Sequence, residues 1–326
     1  MVSQNFIEKE RFTLSQKRPS QTPVLIVYVV TMLISMVVFG FAALVLLDRF
    51  VTQPKLARQA EAESSLQTDD ALNVSEKDYS NAQETIIFIG ADGNNINGIA
   101  LLRIIPDELS VRIIPVSPMV YSSVDGTEGS LSSLYSTGGL NYLISGVESA
   151  FGIETDHYIK ITNDGWKSLV EYLGGVSSYS FPQDMYYKNE ETGDITSFSK
   201  GASTRTLWGD DLRRIITYPL YNGGNETKAQ VTGELSAALI NSVCSYNSGS
   251  VISNMQSIFN VIYNNSETDV TSQTFSDVRD AYEYLISNTL NPASYRMPTG
   301  EWDANGYFRV SDTFKSEAAS YFGLSE

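Results

Sequence analysis

The side chains able to do acid–base or anion chemistry are few, and their positions are restrictive. The chain of 326 residues has one Cys and one His. Cys244 and His157 exclude an intrachain disulfide and any Cys/His zinc cluster. A Ser-His-Asp arrangement would have to use His157, which sits in a strand-like stretch and reads as an ordinary strand side chain. Cys244 closes an apolar helical stripe and reads as a small core residue. Carboxylates and guanidinium groups remain. Asp92 stands in the polar loop GADGNNING, where an Asp before Gly is either a turn device or a ligand. Arg103 and Arg112 face each other if residues 106–109 make a hairpin turn. Like charges directly opposite destabilise a strand pair, so this pairing calls for a bound anion, a phosphate for example, or for nearby carboxylates. Arg205, Arg213 and Arg214 form a second basic group, in a segment that also reads as helix surface.

These groups must be held by an α/β framework. The runs 85–89, 99–105 and 110–116 are short and apolar and read as strands, the last two joined by Pro106–Asp107–Glu108–Leu109. Leu140, Leu143, Ile144, Val147 and Phe151 mark an amphipathic helix that ends at Gly152. Next come a strand over 157–161, a polar turn at 162–164, and a helix. In that helix Trp166, Leu169, Val170 and Leu173 form one apolar stripe. Asn163 or Asp164 is expected to cap it, and Gly174–Gly175 to end it. With a strand over 176–181, this gives a βαβ-like unit. Downstream, 185–198 reads as a polar hairpin and 207–216 as a short helix. Helical stripes follow through Val231 to Leu239, Met255 to Ile262 and Phe275 to Leu285. A late strand at 307–310 and a closing helix reaching Phe322 complete the order.

Composition narrows the partners. The formal net charge is −16, and from Glu84 onward 29 acidic residues face 14 basic ones. Nucleic-acid binding draws on a surplus of Lys and Arg, which is lacking, so no nucleic-acid partner is expected. The stretch 24–47, VLIVYVVTMLISMVVFGFAALVLL, carries no charge. It is long enough to cross a bilayer, which takes about 20 apolar residues, and too long for a signal peptide core. The expected organisation is a cytoplasmic tail (1–23), a transmembrane helix (24–47), a linker or stalk (48–83) and one extracytoplasmic domain (84–326). The excess of basic residues before the span is slight and favours a cytoplasmic N-terminus.

The acidic turn, helix and Gly-Gly-Val exit of 152–176 resemble the middle of the LytR-CpsA-Psr (LCP) cell-envelope family, and the element order resembles that family over most of 84–326. The resemblance implies a mixed central sheet flanked by helices, with a long apolar pocket for a polyprenyl chain. It also implies transfer of glycan polymers from polyprenyl-pyrophosphate carriers to peptidoglycan, using several arginines and an aspartate-bound Mg2+. Residue by residue, the family's Gly-x-Asp is matched by Gly90–Ala91–Asp92, which makes Asp92 the candidate metal ligand. Its Arg-x-Asp falls on Asn95–Ile96–Asn97, so Asn97 replaces a metal aspartate. Its Ser-x-Pro-Arg-Asp falls on the stretch 115–119, where both charged groups are missing. The paired Arg-x-Arg falls near Thr217–Tyr218–Pro219. The late Arg-x-x-Arg-Gln falls on 226–230 and keeps only Gln230, which also reads as helix surface. The candidate ligand-binding residues are therefore Asp92, Asn97, Arg103, Arg112 and Gln230. This pattern leads us to expect a membrane-anchored protein that binds a polyprenyl-linked glycan intermediate or a wall polymer without catalysis. A divergent glycopolymer phosphotransferase, requiring Mg2+, and a structural envelope scaffold are the alternatives.

Overall fold

The computed structural model describes residues 78–93, 95–190 and 193–324. The tail, the apolar span and nearly all of the linker expected before residue 84 lie outside the described residues. Among the described residues, no helix is long and apolar enough to cross a membrane.

Three antiparallel strands form the centre: β1 (Glu84–Asp92), β2 (Asn95–Ile105) and β3 (Ser110–Val116). A short 3-10 turn at Pro106–Glu108 joins the last two, with Leu109 in the left-handed region at φ 49°. This turn fixes the register and sets Arg103 opposite Arg112, as the spacing predicts. A small hairpin follows, β4 (Tyr121–Val124) with β5 (Thr127–Ser130), and feeds α1 (Leu131–Phe151). Ser130 caps α1 by accepting from the Ser133 amide. The helix starts nine residues before Leu140 and is kinked at Gly139, whose φ of 68° is non-helical.

Next come β6 (His157–Ile161), parallel to β1, and α2 (Asn163–Leu173). The expected βαβ-like unit does not form. Val176 makes only an isolated bridge with Leu207. β7 (Ser180–Phe181) leaves the central sheet and pairs with β10 (Gly201–Ala202). Between them lies the hairpin β8 (Met185–Lys188) with β9 (Ile195–Phe198). Gly174 and Gly175 both have positive φ, which turns the chain away before it can rejoin the sheet.

The remaining elements are α3 (Gly209–Ile216), α4 (Gly224–Tyr246), α5 (Ser248–Ser253), α6 (Met255–Asn265), β11 (Ser266–Thr268), α7 (Ser272–Asn288), β12 (Ala293–Tyr295), β13 (Gly300–Trp302), β14 (Phe308–Val310) and α8 (Asp312–Phe322). The six-stranded sheet has the order β11-β6-β1-β2-β3-β12 and is mixed, because β6 and β12 run parallel to their inner neighbours. Helices cover both faces. Ile87, Ile89, Leu101 and Ile114 pack under α1 and α8. Alternate residues point the other way, and Ile86, Ala100 and Ile113 pack toward α2, α4, α5, α6 and α7. This is the α/β architecture expected, a mixed central sheet between helices.

Candidate functional site

The β1–β2 turn end of the sheet meets the start of α2. Thr162, rather than Asn163 or Asp164, caps that helix, accepting from the Gly165 amide at 3.2 Å. Asn163 is thereby free for other bonds. Its Nδ2 donates to Asp92 Oδ2 at 2.9 Å, and its Oδ1 accepts from Asn97 Nδ2 at 3.0 Å. Asp92 and Asn97 are thus brought together through a residue that sequence reasoning treated only as a cap.

Beside them lies a cleft of about 60 Å3, bordered by Asn97, Asn163, Trp166, Arg213, Thr217 and Thr232. Gly98 lies on its floor, where a Cβ would sit 3.3 Å from Ile216 Cγ2, a tight contact. Two features make the cleft receptive to an anion or another acceptor. The Trp166 Nε1–H is buried with no acceptor. Arg213 borders it, held by Asp194 at 3.2 Å and Asp210 at 3.9 Å. Arg213 and Thr217 also line an adjoining polar pocket of about 160 Å3 that contains Arg214. The polar stripe Lys228–Thr232–Ser236 runs along α4 at helical spacing, and Thr232 and Ser236 reach the cleft. Burial pushes the Lys228 ammonium below its usual range. That stripe was the signal available in the sequence for these missed residues.

Phe88 borders both the cleft and a second, larger space. This cavity of about 310 Å3 lies between the sheet and α2, α4, α5, α6 and α7, and its walls are almost wholly apolar. Ile86, Phe88, Leu102 and Ile104 form its floor. Phe88 packs against Trp166, with ring centroids 5.9 Å apart. Four residues along β1 from Phe88, about 13 Å at strand spacing, Glu84 borders the same cavity. Burial pushes the Glu84 carboxyl above the usual range, although its Oε2 accepts from the Tyr282 hydroxyl at 2.5 Å.

Arg103 and Arg112 do not join the cleft. They lie near the opposite end of the strands, with Arg103 eight residues along β2 from Asn95, about 26 Å. Arg103 donates to Thr85 Oγ1 and Gln83 Oε1, each at 3.1 Å, and lies 3.7 Å from Asp156. Arg112 donates to the Tyr321 carbonyl at 2.7 Å and to Glu108. Protein groups hold the terminal nitrogens of both guanidinium ions, leaving the buried Arg103 Nε without a partner among the described residues. Neighbouring carboxylates and neutral acceptors thus account for the pair without a phosphate. Gln230 is exposed on α4 and donates to Glu234 at 2.9 Å. It does not reach the cleft either.

A divalent cation finds a poor donor set here. No group of three or more His, Cys, Asp or Glu that could hold a metal occurs among the described residues. Asp92 is the one carboxylate bound to the Asn97–Asn163 chain, and an amide N–H, not an oxygen, is turned toward it. A Mg2+ here would have Asp92 as its single carboxylate ligand and would take its other oxygens from the neighbouring amides and water.

A fold with a cleft bordered by polar side chains beside a large apolar cavity invites comparison with known proteins. The LytR_cpsA_psr family model matches residues 52–320. The chain belongs to this family. Among its relatives is the polyisoprenyl-teichoic acid–peptidoglycan teichoic acid transferase TagU of Halalkalibacterium halodurans, 34% identical over 104 residues, which are 29% of this chain and 34% of that protein. The protein of the same name from Bacillus anthracis is 20% identical over 259 residues, covering 75% of this chain and 80% of that protein. Two solved LCP structures share the fold. TagV of B. subtilis superposes with a TM-score of 0.59 at 17% identity, over 75% of this chain and 98% of TagV. TagT bound to LI-WTA gives 0.56 at 15% identity, over 77% and 95%.

Proposed function

We propose that this LCP-family chain is a glycopolymer transferase: it takes a polymer from a polyprenyl-pyrophosphate carrier and attaches it to peptidoglycan. The observation that carries the reading is that a large apolar cavity and a cleft bordered by Trp166 and Arg213 share Phe88 as a common wall. An isoprenoid tail gains roughly 25 cal/mol for each Å2 of apolar surface it buries. Guanidinium groups meanwhile match phosphate oxygens. The names of relatives as teichoic acid–peptidoglycan transferases support the same reading.

In the reaction, a hydroxyl oxygen of the wall acceptor bonds to the phosphorus that carries the polymer. The bond from that phosphorus to the bridging oxygen breaks, and polyprenyl phosphate leaves with the electron pair. Asp92 accepts the hydroxyl proton on a carboxylate oxygen, with Asn163 orienting the carboxylate. Arg213 and Trp166 hold the phosphate oxygens. The stretch 24–47 anchors the chain in the membrane with its N-terminus in the cytoplasm, so that the domain meets carrier and wall outside.

A second reading, a binder that has lost catalysis, is favoured by the single carboxylate at Asn163 and by Arg213 being already shared with Asp194 and Asp210. Full-length chain in detergent, given a polyprenyl-diphosphate-linked oligosaccharide and peptidoglycan, separates the two. Release of polyprenyl phosphate, reduced at least about tenfold in Asp92→Asn and Arg213→Ala, is the expected result. Binding without release selects the binder, and no binding removes both.

A further inference from the structure

Further along β9 from the pocket that holds Arg213 is a separate pocket of about 260 Å3. This is near the lower end of ordinary small-molecule sites, roughly 300 Å3. Its apolar wall is a phenyl stack, Phe198 on Phe181, with centroids 4.8 Å apart and planes 18° from parallel. Tyr179 holds Phe181 edge-on at 5.2 Å. Phe181 is fully buried and Phe198 half-buried, so the Phe198 ring is fixed from behind while its rim meets the pocket. Around it stand Ser197, Ser199 and Thr204, solvent-exposed residues whose hydroxyls bond no protein group among the described residues.

The pocket presents no spare charge. Arg205, its one ionised lining residue, is held by both oxygens of Asp211 at 2.6 and 2.7 Å. Exposed hydroxyls, open to exchange water for a ligand, beside a rigid aromatic ring suit a ligand that has both an apolar C–H face and many hydroxyls. A phosphate would lack the free cation it needs, and an ammonium would lack a carboxylate. We infer that this pocket is a binding site for a neutral sugar ring.

The location gives the site a use, which rests on the transferase reading. Asp194 and Thr196 border the arginine pocket that adjoins the cleft, and Ser197 and Phe198, next along the chain, border the sugar pocket. A glycan attached at the cleft, or one approaching it, would lie across the hairpin. Asp211 also connects the pocket to α3, the helix that carries Arg213.

The test uses full-length chain in detergent, with saturation-transfer NMR and calorimetry. The probes are N-acetylglucosamine tetrasaccharide, standing for wall glycan, and maltotetraose, standing for a neutral polymer; polyprenyl phosphate binding is measured in a separate arm. The expected result is saccharide binding that weakens at least about tenfold in Phe198→Ala. The same loss is expected in Ser199→Trp, which fills the pocket from an exposed position and spares the stack. Polyprenyl phosphate binding stays unchanged in both variants. Preference for the first sugar assigns the acceptor glycan and preference for the second the donor polymer. Binding of neither sugar, or binding indifferent to both variants, overturns the site. Absence of polyprenyl phosphate binding in the unaltered chain removes the transferase reading and leaves the sugar result standing.

Discussion

The two faces of the central sheet are built from the same strands and end in opposite ways. Residues of one set, Ile87, Ile89, Leu101 and Ile114, are each 0% exposed beneath α1 and α8. Their alternates Phe88, Leu102 and Ile104 lie just as deep in the central strands, yet each is only half-buried because it faces the 310 Å3 cavity. Protein interiors are normally packed to crystal-like density. A face of central strands left unfilled therefore forgoes dispersion contacts, and a ligand can restore them. The packed face supplies stability, and the hollow face is the one on which the proposed carrier would sit.

The largest contrast should appear in truncations of neighbouring leucines. Leu101→Ala is expected to cost about 3–5 kcal/mol, the range for a fully packed core site. Leu102→Ala, with fewer contacts to lose, should cost about 2 kcal/mol, the low end for such a truncation. Denaturant unfolding reads both, and equal losses would erase the distinction between the faces.

Next come the arginines. Arg103→Ala is expected to cost about 2–3 kcal/mol, because it removes a buried donor from Thr85 and Gln83, and to leave carrier binding unchanged. Arg213→Ala should leave stability within about 1 kcal/mol, since its ion pairs are partly exposed, and weaken carrier binding about tenfold. The reverse outcome would move the anion site to the other end of the strands.

The effect of pH on Glu84 is smaller. Burial raises its folded pKa above the ordinary 4.5, against the Tyr282 hydrogen bond and the nearby His157. The folded state therefore holds the proton more tightly than the unfolded one. The stability that this contributes is full below pH 4.5 and is lost as pH rises through the folded value. Glu84→Gln should remove that decline, so that the variant gains on the unaltered chain from pH 4 to pH 7 in thermal unfolding. Parallel curves would mean that the cavity's far end is wet.

The smallest effect concerns Cys244 in the cavity wall, whose thiol burial pushes up to about 11. An alkyl maleimide should label it slowly at neutral pH, and more slowly still with polyprenyl phosphate bound. Labelling that the lipid does not affect would place the lipid elsewhere.

Much of the framework was legible from residue patterns. The three central strands followed from their apolar runs, and the turn at Pro106 fixed the Arg103–Arg112 register. The role of that pair was not legible, because one partner of Arg112 is the Tyr321 carbonyl, 209 residues away in the chain. The β4–β5 hairpin is nearly all polar and small, and it gave no hydrophobic period to follow. The first turns of α1 were hidden by Gly138 and Gly139, which interrupt its stripe. Within the site, Asp92 could be read from its Gly-x-Asp setting, although residues 90–92 and 95–98 continue the strands where a longer polar loop was expected. Asn163 could not, because the cap falls one residue earlier, on Thr162, and sends the amide toward Asp92. Alternation also states which residues turn inward and is silent on whether their neighbours reach far enough to fill the space.

The central claim is that the hollow face holds an isoprenoid chain. Full-length protein purified from bacterial membranes in mild detergent, extracted with solvent and analysed by mass spectrometry, tests it directly. The prediction is co-purified polyprenyl phosphate or diphosphate, depleted at least about tenfold by Ile104→Trp, which fills the cavity, and retained in Ile87→Val on the packed face. Equal lipid in all three proteins, or none in the unaltered one, would contradict the account.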